Sequence, residues 1–328
     1  RNCGRAGALT RREFIRLAGA AGALGFPAIA RAAVPRKKTV VVLGIDGMDP
    51  LLLEQFLKEG RMPNCARLMS EGSFSRLGTS DPPQSPVAWS NFISGTNPGG
   101  HGIFDFIARD PRTMTPRLST SAVEGGERFV GIGKYSIPLS KGRALNLRKG
   151  PTFWKNLEEA GVDCTVIRIP SNFPPTECKS KTLSGLGTPD IHGSYGVFAF
   201  YTDRPGESTR DVPGGKVVQV TVRDHCVDCV LPGPVNTLQK EPGAVNIAFK
   251  VFVDPTNPAA LIAIQGRELL LREGEWSSWV PVSFEMIPRV SSVAGMCRFC
   301  LVRARGDFAL YVSPIDMDPS APSLPIST

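Results

Sequence analysis

The run of apolar and β-branched residues at positions 39–45, TVVVLGI, ends abruptly in the acid Asp46. Because apolar and polar residues do not alternate in it, the run is typical of a parallel strand that is buried on both faces. Asp49 and Pro50 follow as an N-cap and a first helical residue, which predicts a helix soon after the strand. A strand that leads directly into a helix predicts an α/β fold, in which helices cover both faces of a parallel sheet.

The alternation of strand and helix continues to about residue 204, so residues 33–204 are predicted to be the N-terminal part of one α/β core. In it we expect helices at 63–72, 86–94 and 151–161, and strands at 74–77 and 164–169. From residue 205 the pattern changes to strands without a long helix between them, at 216–222, 245–253, 260–265, 278–287 and 299–305. These strands predict a β-rich insertion at 205–315, followed by a truncated linker at 316–328 that leads back to the core.

Residues 1–32 have the pattern of an export signal. Arg11 and Arg12 with Phe14 resemble a twin-arginine motif, and a weakly apolar Ala/Gly stretch is followed by the small-x-small sequence Ala30-Arg31-Ala32. The alternative is a membrane anchor, but the stretch is too short and too rich in glycine to span a bilayer comfortably. We therefore expect a periplasmic or otherwise exported protein that uses the twin-arginine export machinery and has no stable membrane span.

The charge and the chain ends add two expectations. The formal net charge is +8, but residues 1–32 contain six arginines and one acid, so five of these charges belong to the signal. No binding to a nucleic-acid polymer is therefore expected. The chain does not begin with Met and ends in a Pro/Ser-rich stretch, which favours a piece of a longer gene product.

The eight cysteines include two Cys-x-x-Cys pairs, Cys226 with Cys229 and Cys297 with Cys300. Their local spacing is that of zinc knuckles. Both pairs lie in strand-like runs, however, where residues three apart point to opposite faces. A zinc site, a disulfide between the pairs and buried free thiols remain as alternatives, and the pattern favours free thiols.

Asp46 and Ser85 carry the chemistry that the residues themselves suggest. A carboxylate just past a parallel strand points into the crevice where such sheets bind ligands, and it suits Zn²⁺, Mn²⁺ or Mg²⁺. Ser85 precedes Pro86, so we expect it to be the N-cap of the helix at 86–94, where unpaired N–H groups favour an anion. The alternative is that Ser85 is only a helix cap and Asp46 only a turn acid before Gly47.

Two blocks, VVVLGIDGMDP and PPQSPVAWSNFISGTNPGGHGIFDF, resemble the alkaline phosphatase superfamily. Within it they are most similar to the type I phosphodiesterase/nucleotide pyrophosphatase family, in which a glycine and a His-Gly follow the nucleophile at the spacing of Gly95 and His101-Gly102. The resemblance implies that Ser85 is the nucleophile and also a metal ligand, that Asp46 is a metal ligand, and that two divalent ions, Zn or else Mn or Mg, are bound. The implied substrate is a small phosphate ester or nucleotide-like molecule.

The chain departs from this family pattern at two points. Nucleotide pyrophosphatases usually have Asn three residues after the nucleophile, where this chain has Ala88; Asn91 is the candidate substitute. The family's Asp-x-x-x-His is missing, since the histidines are His101, His192 and His225, preceded four residues earlier by Asn97, Thr188 and Thr221. Asp224-His225 is the single Asp-His pair, and it is expected in a strand turn.

These departures shape the functional hypothesis. We expect the remaining metal ligands beyond Thr328 and no hydrolysis by the 328 residues alone, while Asp190 and His192 are candidates for substrate binding. The hypothesis is an exported, metal-dependent hydrolase of phosphate mono- or diesters with a serine nucleophile. The alternatives are a non-catalytic exported binding protein of the same fold, or a phosphomutase- or sulfatase-like relative.

Overall fold

The computed structural model describes residues 39–126, 128–140 and 142–328. It is a mixed α/β structure whose helices all precede residue 160 and whose larger sheets follow residue 197. In the described part of the chain the helices are α1 (Pro50–Lys58), α2 (Pro63–Glu71), α3 (Ser85–Ser94), α4 (Pro98–His101) and α5 (Phe153–Glu159).

The helices begin and end where the sequence predicts, to within a few residues. The Asp49 carboxylate caps α1 by accepting hydrogen bonds from the backbone N–H groups of Leu51 and Leu52, at 2.6 and 3.3 Å. The Thr152 hydroxyl caps α5 by accepting from the N–H of Lys155 at 3.3 Å. Gly95 ends α3 with a left-handed φ of 66°, a conformation that glycine adopts without the steric cost of a Cβ atom.

Within the described ranges, eight short strands accompany the helices, and each pairs with one other strand. They are β1 (Ile107–Arg109), β2 (Pro116–Leu118), β3 (Ser121–Glu124), β4 (Phe129–Ile132), β5 (Tyr135–Pro138), β6 (Arg143–Asn146), β7 (Thr165–Ile169) and β8 (Lys181–Ser184). The pairs β1–β2, β3–β6 and β4–β5 are antiparallel, whereas β7 and β8 are parallel.

Twelve further strands form three larger sheets. They are β9 (Phe198–Thr202), β10 (Arg210–Val212), β11 (Gly215–Gln219), β12 (Cys226–Leu231), β13 (Ile247–Val253), β14 (Ala259–Ile264), β15 (Arg267–Arg272), β16 (Val280–Ile287), β17 (Ser291–Cys297), β18 (Phe299–Arg303), β19 (Ala309–Val312) and β20 (Asp316–Met317). The sheet orders are β10-β11-β9-β19-β18, β12-β13-β14-β15 and β16-β17-β20. The five strands predicted between residues 216 and 305 are thereby confirmed as β11, β13, β14, β16 and β18.

The main hydrophobic core lies among these three sheets. Alternate residues of β13 and β16 are buried, as expected of strands with one face on a core. Phe249 packs edge to face on Tyr201 and on Phe299, with ring centroids 5.4 and 5.7 Å apart. Since each of these rings is almost fully buried, each contributes roughly 1.5–3 kcal/mol through the apolar surface that it removes from water.

The predicted strand at 39–45 is wrong for this structure. Those residues form no strand, and Val40 and Leu43 are 86% and 83% exposed. The predicted strand at 74–77 is also absent, and Leu77 is 94% exposed. Apolar composition creates a preference for strand, but a strand exists only where a neighbour accepts and donates its backbone hydrogen bonds.

The long parallel sheet that the sequence predicts is not formed by the described residues. Among the described strands, parallel pairing occurs at β7–β8 and at β9–β11, and the other pairs are antiparallel, so a parallel sheet with helices on both faces is not confirmed. Residues 46–328, taken by themselves, form one compact unit that contains all the helices and strands named above. Strand β9 precedes residue 205 but lies at the centre of the five-stranded sheet, so this sheet includes residues from before the predicted start of the insertion. The insertion boundaries at 205 and 315 stay predictions.

The seven cysteines after residue 38 are free thiols in the structure. Cys229 points into the core from β12 and Cys226 is only half-buried, as expected for residues three apart in a strand. Burial raises the pKa of the Cys229 and Cys297 thiols to about 12. No helix in the described ranges is both long and apolar enough to cross a lipid bilayer.

Candidate functional site

Ser85 lies in the first turn of α3, one position further into the helix than predicted. Gln84 is the N-cap, because its backbone is extended and its carbonyl oxygen accepts from the N–H of Ala88 at 2.9 Å. Ser85 is therefore the first helical residue, with Pro86 second. The Gln84 side chain does not cap the helix, so the positive end of α3 is open to an anionic group beside the Ser85 hydroxyl.

Asp46 lies against this first turn although it is 39 residues away in the chain. The Ser85 hydroxyl donates to Oδ2 of Asp46 at 3.2 Å, and Nε1 of Trp89 donates to Oδ1 at 3.0 Å. Ser85 and Trp89 are four residues apart, which places them on the same face of α3. Each oxygen of the carboxylate is thus held by a side chain of one helix.

Trp89 is the site residue that the sequence reasoning missed. Its position four residues after Ser85 was the available signal, because that spacing predicts two side chains on one helical face. Asp46 is exposed and Ser85 is half-buried, so a solute can reach the hydroxyl. The structure therefore brings together the serine and the acid that the sequence singles out, and it adds an indole N–H that holds the acid.

The donors at this site suit a divalent metal ion only in part. The carboxylate of Asp46 and the hydroxyl of Ser85 are neighbouring hard oxygen donors, which suit Mg²⁺ and Mn²⁺ and which Zn²⁺ also accepts. Within residues 39–126, 128–140 and 142–328, however, no three His, Cys, Asp or Glu side chains lie close enough to hold a metal. Asp46 and Ser85 therefore fit as two ligands of a larger set that the described residues do not complete.

Asn91 lies near the opposite end of α3 and contacts His101. Its side-chain amide lies 2.7 Å from Nε2 of His101, and the same amide atom lies 3.2 and 3.1 Å from the carbonyl oxygens of Val87 and Thr96. In either orientation of the amide, Asn91 is engaged with its own helix and the following turn. Its assignment to the substrate stays a prediction.

His101 is fully buried, in agreement with the structural role that its glycine-rich loop suggests. Nδ1 accepts from the backbone N–H of Ile103 at 3.1 Å, while Nε2 meets Asn91. Burial, and secondarily the charge of Arg148, lowers the pKa of His101, which keeps the ring neutral at physiological pH. His101 therefore joins the end of α3 to α4.

Asp190 and His192 lie together in the loop between β8 and β9. The Asp190 carboxylate is almost fully buried and accepts from the N–H groups of His192 and Ser194 and from the Ser194 hydroxyl, at 2.9, 2.8 and 2.6 Å. These bonds make it the centre of a tight turn. His192 is exposed and lines a cavity of about 170 Å³ whose wall also includes Lys216. The role of this pair in substrate binding stays a prediction.

Asp224 and His225 form the turn that the sequence predicts. They join residues 223 and 226, which form a β-bridge, and both have positive φ values, 48° and 61°, as in the tight turns of hairpins. No described residue adds a third ligand to this Asp-His pair.

Comparison with known proteins identifies the family. A family model described as type I phosphodiesterase / nucleotide pyrophosphatase matches residues 40–217, which is more than half of the chain and includes Asp46, Ser85 and Trp89. No curated protein matches the sequence and no solved structure matches the fold. The chain therefore belongs to the type I phosphodiesterase/nucleotide pyrophosphatase family, within the alkaline phosphatase superfamily.

Proposed function

We propose that this protein is an exported, metal-dependent hydrolase of phosphate mono- or diesters and that Ser85 is its nucleophile. The observation that carries the proposal is the hydrogen bond from the Ser85 hydroxyl to Asp46 at the open end of α3, inside the region that matches the family. A phosphodiesterase/nucleotide pyrophosphatase-like activity is what the family supports.

The chemistry at Ser85 is a nucleophilic substitution at phosphorus. The Ser85 oxygen, which is directed by its hydrogen bond to Oδ2 of Asp46, forms a bond to phosphorus as the bond to the leaving oxygen breaks, and the proton that the hydroxyl releases goes by way of solvent to the leaving oxygen. Trp89 holds the other carboxylate oxygen and so keeps Oδ2 directed at the serine. Water then attacks the phosphorus and the bond to the Ser85 oxygen breaks. A proton from the water restores the hydroxyl, and phosphate leaves, or a phosphate monoester when the substrate is a diester.

A divalent metal ion, Zn²⁺ or else Mn²⁺ or Mg²⁺, would be held by Asp46 and Ser85 among other ligands, and when bound it would polarise the phosphate. The open first turn of α3 favours the negative charge of the substrate at the same point. The proposed substrates are small phosphate esters or nucleotide-like molecules.

Replacement of Ser85 tests the proposal. In the protein expressed from its complete gene, with Zn²⁺ or Mn²⁺ added, Ser85→Ala should lower kcat for bis(p-nitrophenyl) phosphate by roughly 10³-fold or more, because the covalent route is lost. Ser94→Ala is the matched control, since Ser94 ends the same helix and its hydroxyl donates to the Ser90 carbonyl. Turnover close to normal in Ser85→Ala would refute the assignment of Ser85 as the nucleophile. Metal-independent binding of the ester by a wild-type protein without turnover would favour the non-catalytic binding protein instead.

A further inference from the structure

Arg148 is a buried cation that has no counter-ion among the described residues. It lies between β6 and α5, is 7% exposed, and takes part in no ion pair with any described acid. Its Nη2 donates to the Thr176 hydroxyl at 3.3 Å, while Nε and Nη1 are buried and have no partner. The guanidinium thus presents unsatisfied donors inside the protein.

A second unsatisfied donor belongs to the same group of side chains. Asn172 is fully buried and its amide nitrogen has no partner. Its amide oxygen accepts from the Thr176 hydroxyl at 3.5 Å, so a single hydroxyl links Arg148 to Asn172. Both unsatisfied groups are donors, and both belong to the loops that follow β6 and β7.

Further hydrogen bonds hold these two loops in place. The Asn146 side chain accepts from the backbone N–H of Arg148 at 3.1 Å and donates to the carbonyl oxygen of Pro174 at 3.0 Å. The Ser184 hydroxyl donates to the backbone carbonyl of Asn172 at 2.7 Å. The positions of Arg148 and Asn172 are therefore set by the surrounding backbone, as in a preorganised site.

The energy of this arrangement points to a ligand that is negatively charged. Burial lowers the pKa of Arg148 to about 10, so the group is still cationic at neutral pH. An unpaired buried charge destabilises the folded protein, and each unsatisfied buried donor adds to that cost. Water could accept from the donors but brings no charge, whereas an oxyanion satisfies both requirements.

We propose that Arg148 and Asn172, linked by Thr176, form a binding site for a phosphate-like oxyanion. A planar guanidinium with free N–H groups matches the oxygens of a phosphate group, and the Asn172 amide supplies a further donor. The oxyanion is either free phosphate or the phosphoryl group of an organic ester. The site does not depend on Ser85, Asp46 or a metal ion, so its test is separate from that of the hydrolase.

Calorimetric titration of the 328-residue chain tests the site. Inorganic phosphate and adenosine monophosphate are titrated separately at pH 7 with EDTA present, so that a metal-bound phosphate cannot contribute. Arg148→Met should weaken phosphate binding roughly tenfold or more, the loss expected of one charge-assisted contact. Arg267→Met, which removes an exposed arginine of β15, should leave binding unchanged. Binding of phosphate alone supports the proposal and identifies free phosphate as the oxyanion. Binding of both ligands also supports it and shows that the site accepts the phosphoryl group of an ester.

A second variant keeps the test decisive if Arg148→Met does not fold. Asn172→Asp is nearly isosteric and places a carboxylate next to the Thr176 hydroxyl that also accepts from Arg148. It should raise the melting temperature and abolish phosphate binding, because the cation then has an internal partner. The proposal is overturned if the wild-type chain binds neither ligand at tens of millimolar, or if Asn172→Asp binds phosphate as the wild type does.

Discussion

At the scale of single residues, the orientation of Asp46 is the feature that matters most for the proposed reaction. Asp46 is exposed, and an exposed carboxylate rotates freely unless its oxygens are held. Ser85 holds one oxygen and Trp89 the other. In the proposed reaction the indole is therefore a positioning residue, which acts on the proposed nucleophile Ser85 through the acid.

Trp89→Phe should reduce kcat for bis(p-nitrophenyl) phosphate roughly tenfold in the protein expressed from its complete gene. The change removes the N–H donor to Asp46, a hydrogen bond to a charged group worth about 1.5–3 kcal/mol, and keeps an aromatic ring next to Phe92. KM should change less than kcat, because the indole does not contact the substrate. Trp279→Phe, at a half-exposed tryptophan after β15, is the control. An unchanged kcat in Trp89→Phe would show that Ser85 alone orients the acid.

At the scale of elements, α3 is the support of the candidate site. Its first turn carries Ser85 and Trp89, and its last turn contacts His101 through Asn91. Gln84 begins the helix and Gly95 ends it. The backbone of Gly95 has a φ of 66°, and a Cβ added there would meet no atom within 4 Å. A side chain at this position would therefore be unfavourable because of backbone strain and not because of steric overlap with neighbours.

Gly95→Ala should lower the free energy of unfolding by about 1 kcal/mol, measured by urea denaturation, because alanine resists the left-handed conformation. Gly95→Asn should lower the free energy of unfolding by a smaller amount, since asparagine tolerates the left-handed conformation better. Gly78→Ala is the control for added volume, as Gly78 has neither a positive φ nor a neighbour within 4 Å of the new Cβ. Equal stability of all three variants would mean that the end of α3 adapts without strain.

At the scale of the whole molecule, the chain combines a helix-containing region with three larger sheets and, by prediction, an export signal. Most residues of the buried hydrophobic cluster belong to these sheets. Residues 326–328 lie along β8, where the Thr328 hydroxyl accepts from the N–H of Thr182 at 3.1 Å. The C-terminal residues thus contact a strand that precedes the larger sheets. The predicted signal at 1–32 lies outside the described residues.

Replacing Arg11 and Arg12 together by lysine should retain the precursor in the cytoplasm, because twin-arginine export depends on the paired arginines and not on their charge alone. Replacing Arg5 and Arg16 by lysine is the matched control and should leave export unchanged. The measurement is the ratio of precursor to processed protein in cytoplasmic and periplasmic fractions. Normal export of the Arg11/Arg12 variant would exclude this route.

Local chemistry determined the features that the sequence predicted correctly. Asp49 with Pro50 starts α1, Gly95 ends α3, and Asp224-His225 forms a turn, because each depends on the preferences of a few adjacent residues. The alternation of apolar residues in β13 likewise predicts a strand with one buried face. The family and the pairing of Asp46 with Ser85 as candidate site residues were also accessible, since they rest on motifs in the chain.

Only the tertiary structure decided which groups meet across long separations. The exposed run at 39–45 shows that apolar residues form a strand only when a neighbour supplies hydrogen bonds. The contact of Trp89 with Asp46 cannot be read from the sequence, and neither can the burial of Arg148 with no counter-ion among the described residues. Propensity is a property of adjacent residues, whereas hydrogen-bond partners, burial and charge environment depend on segments that folding brings together from distant parts of the chain.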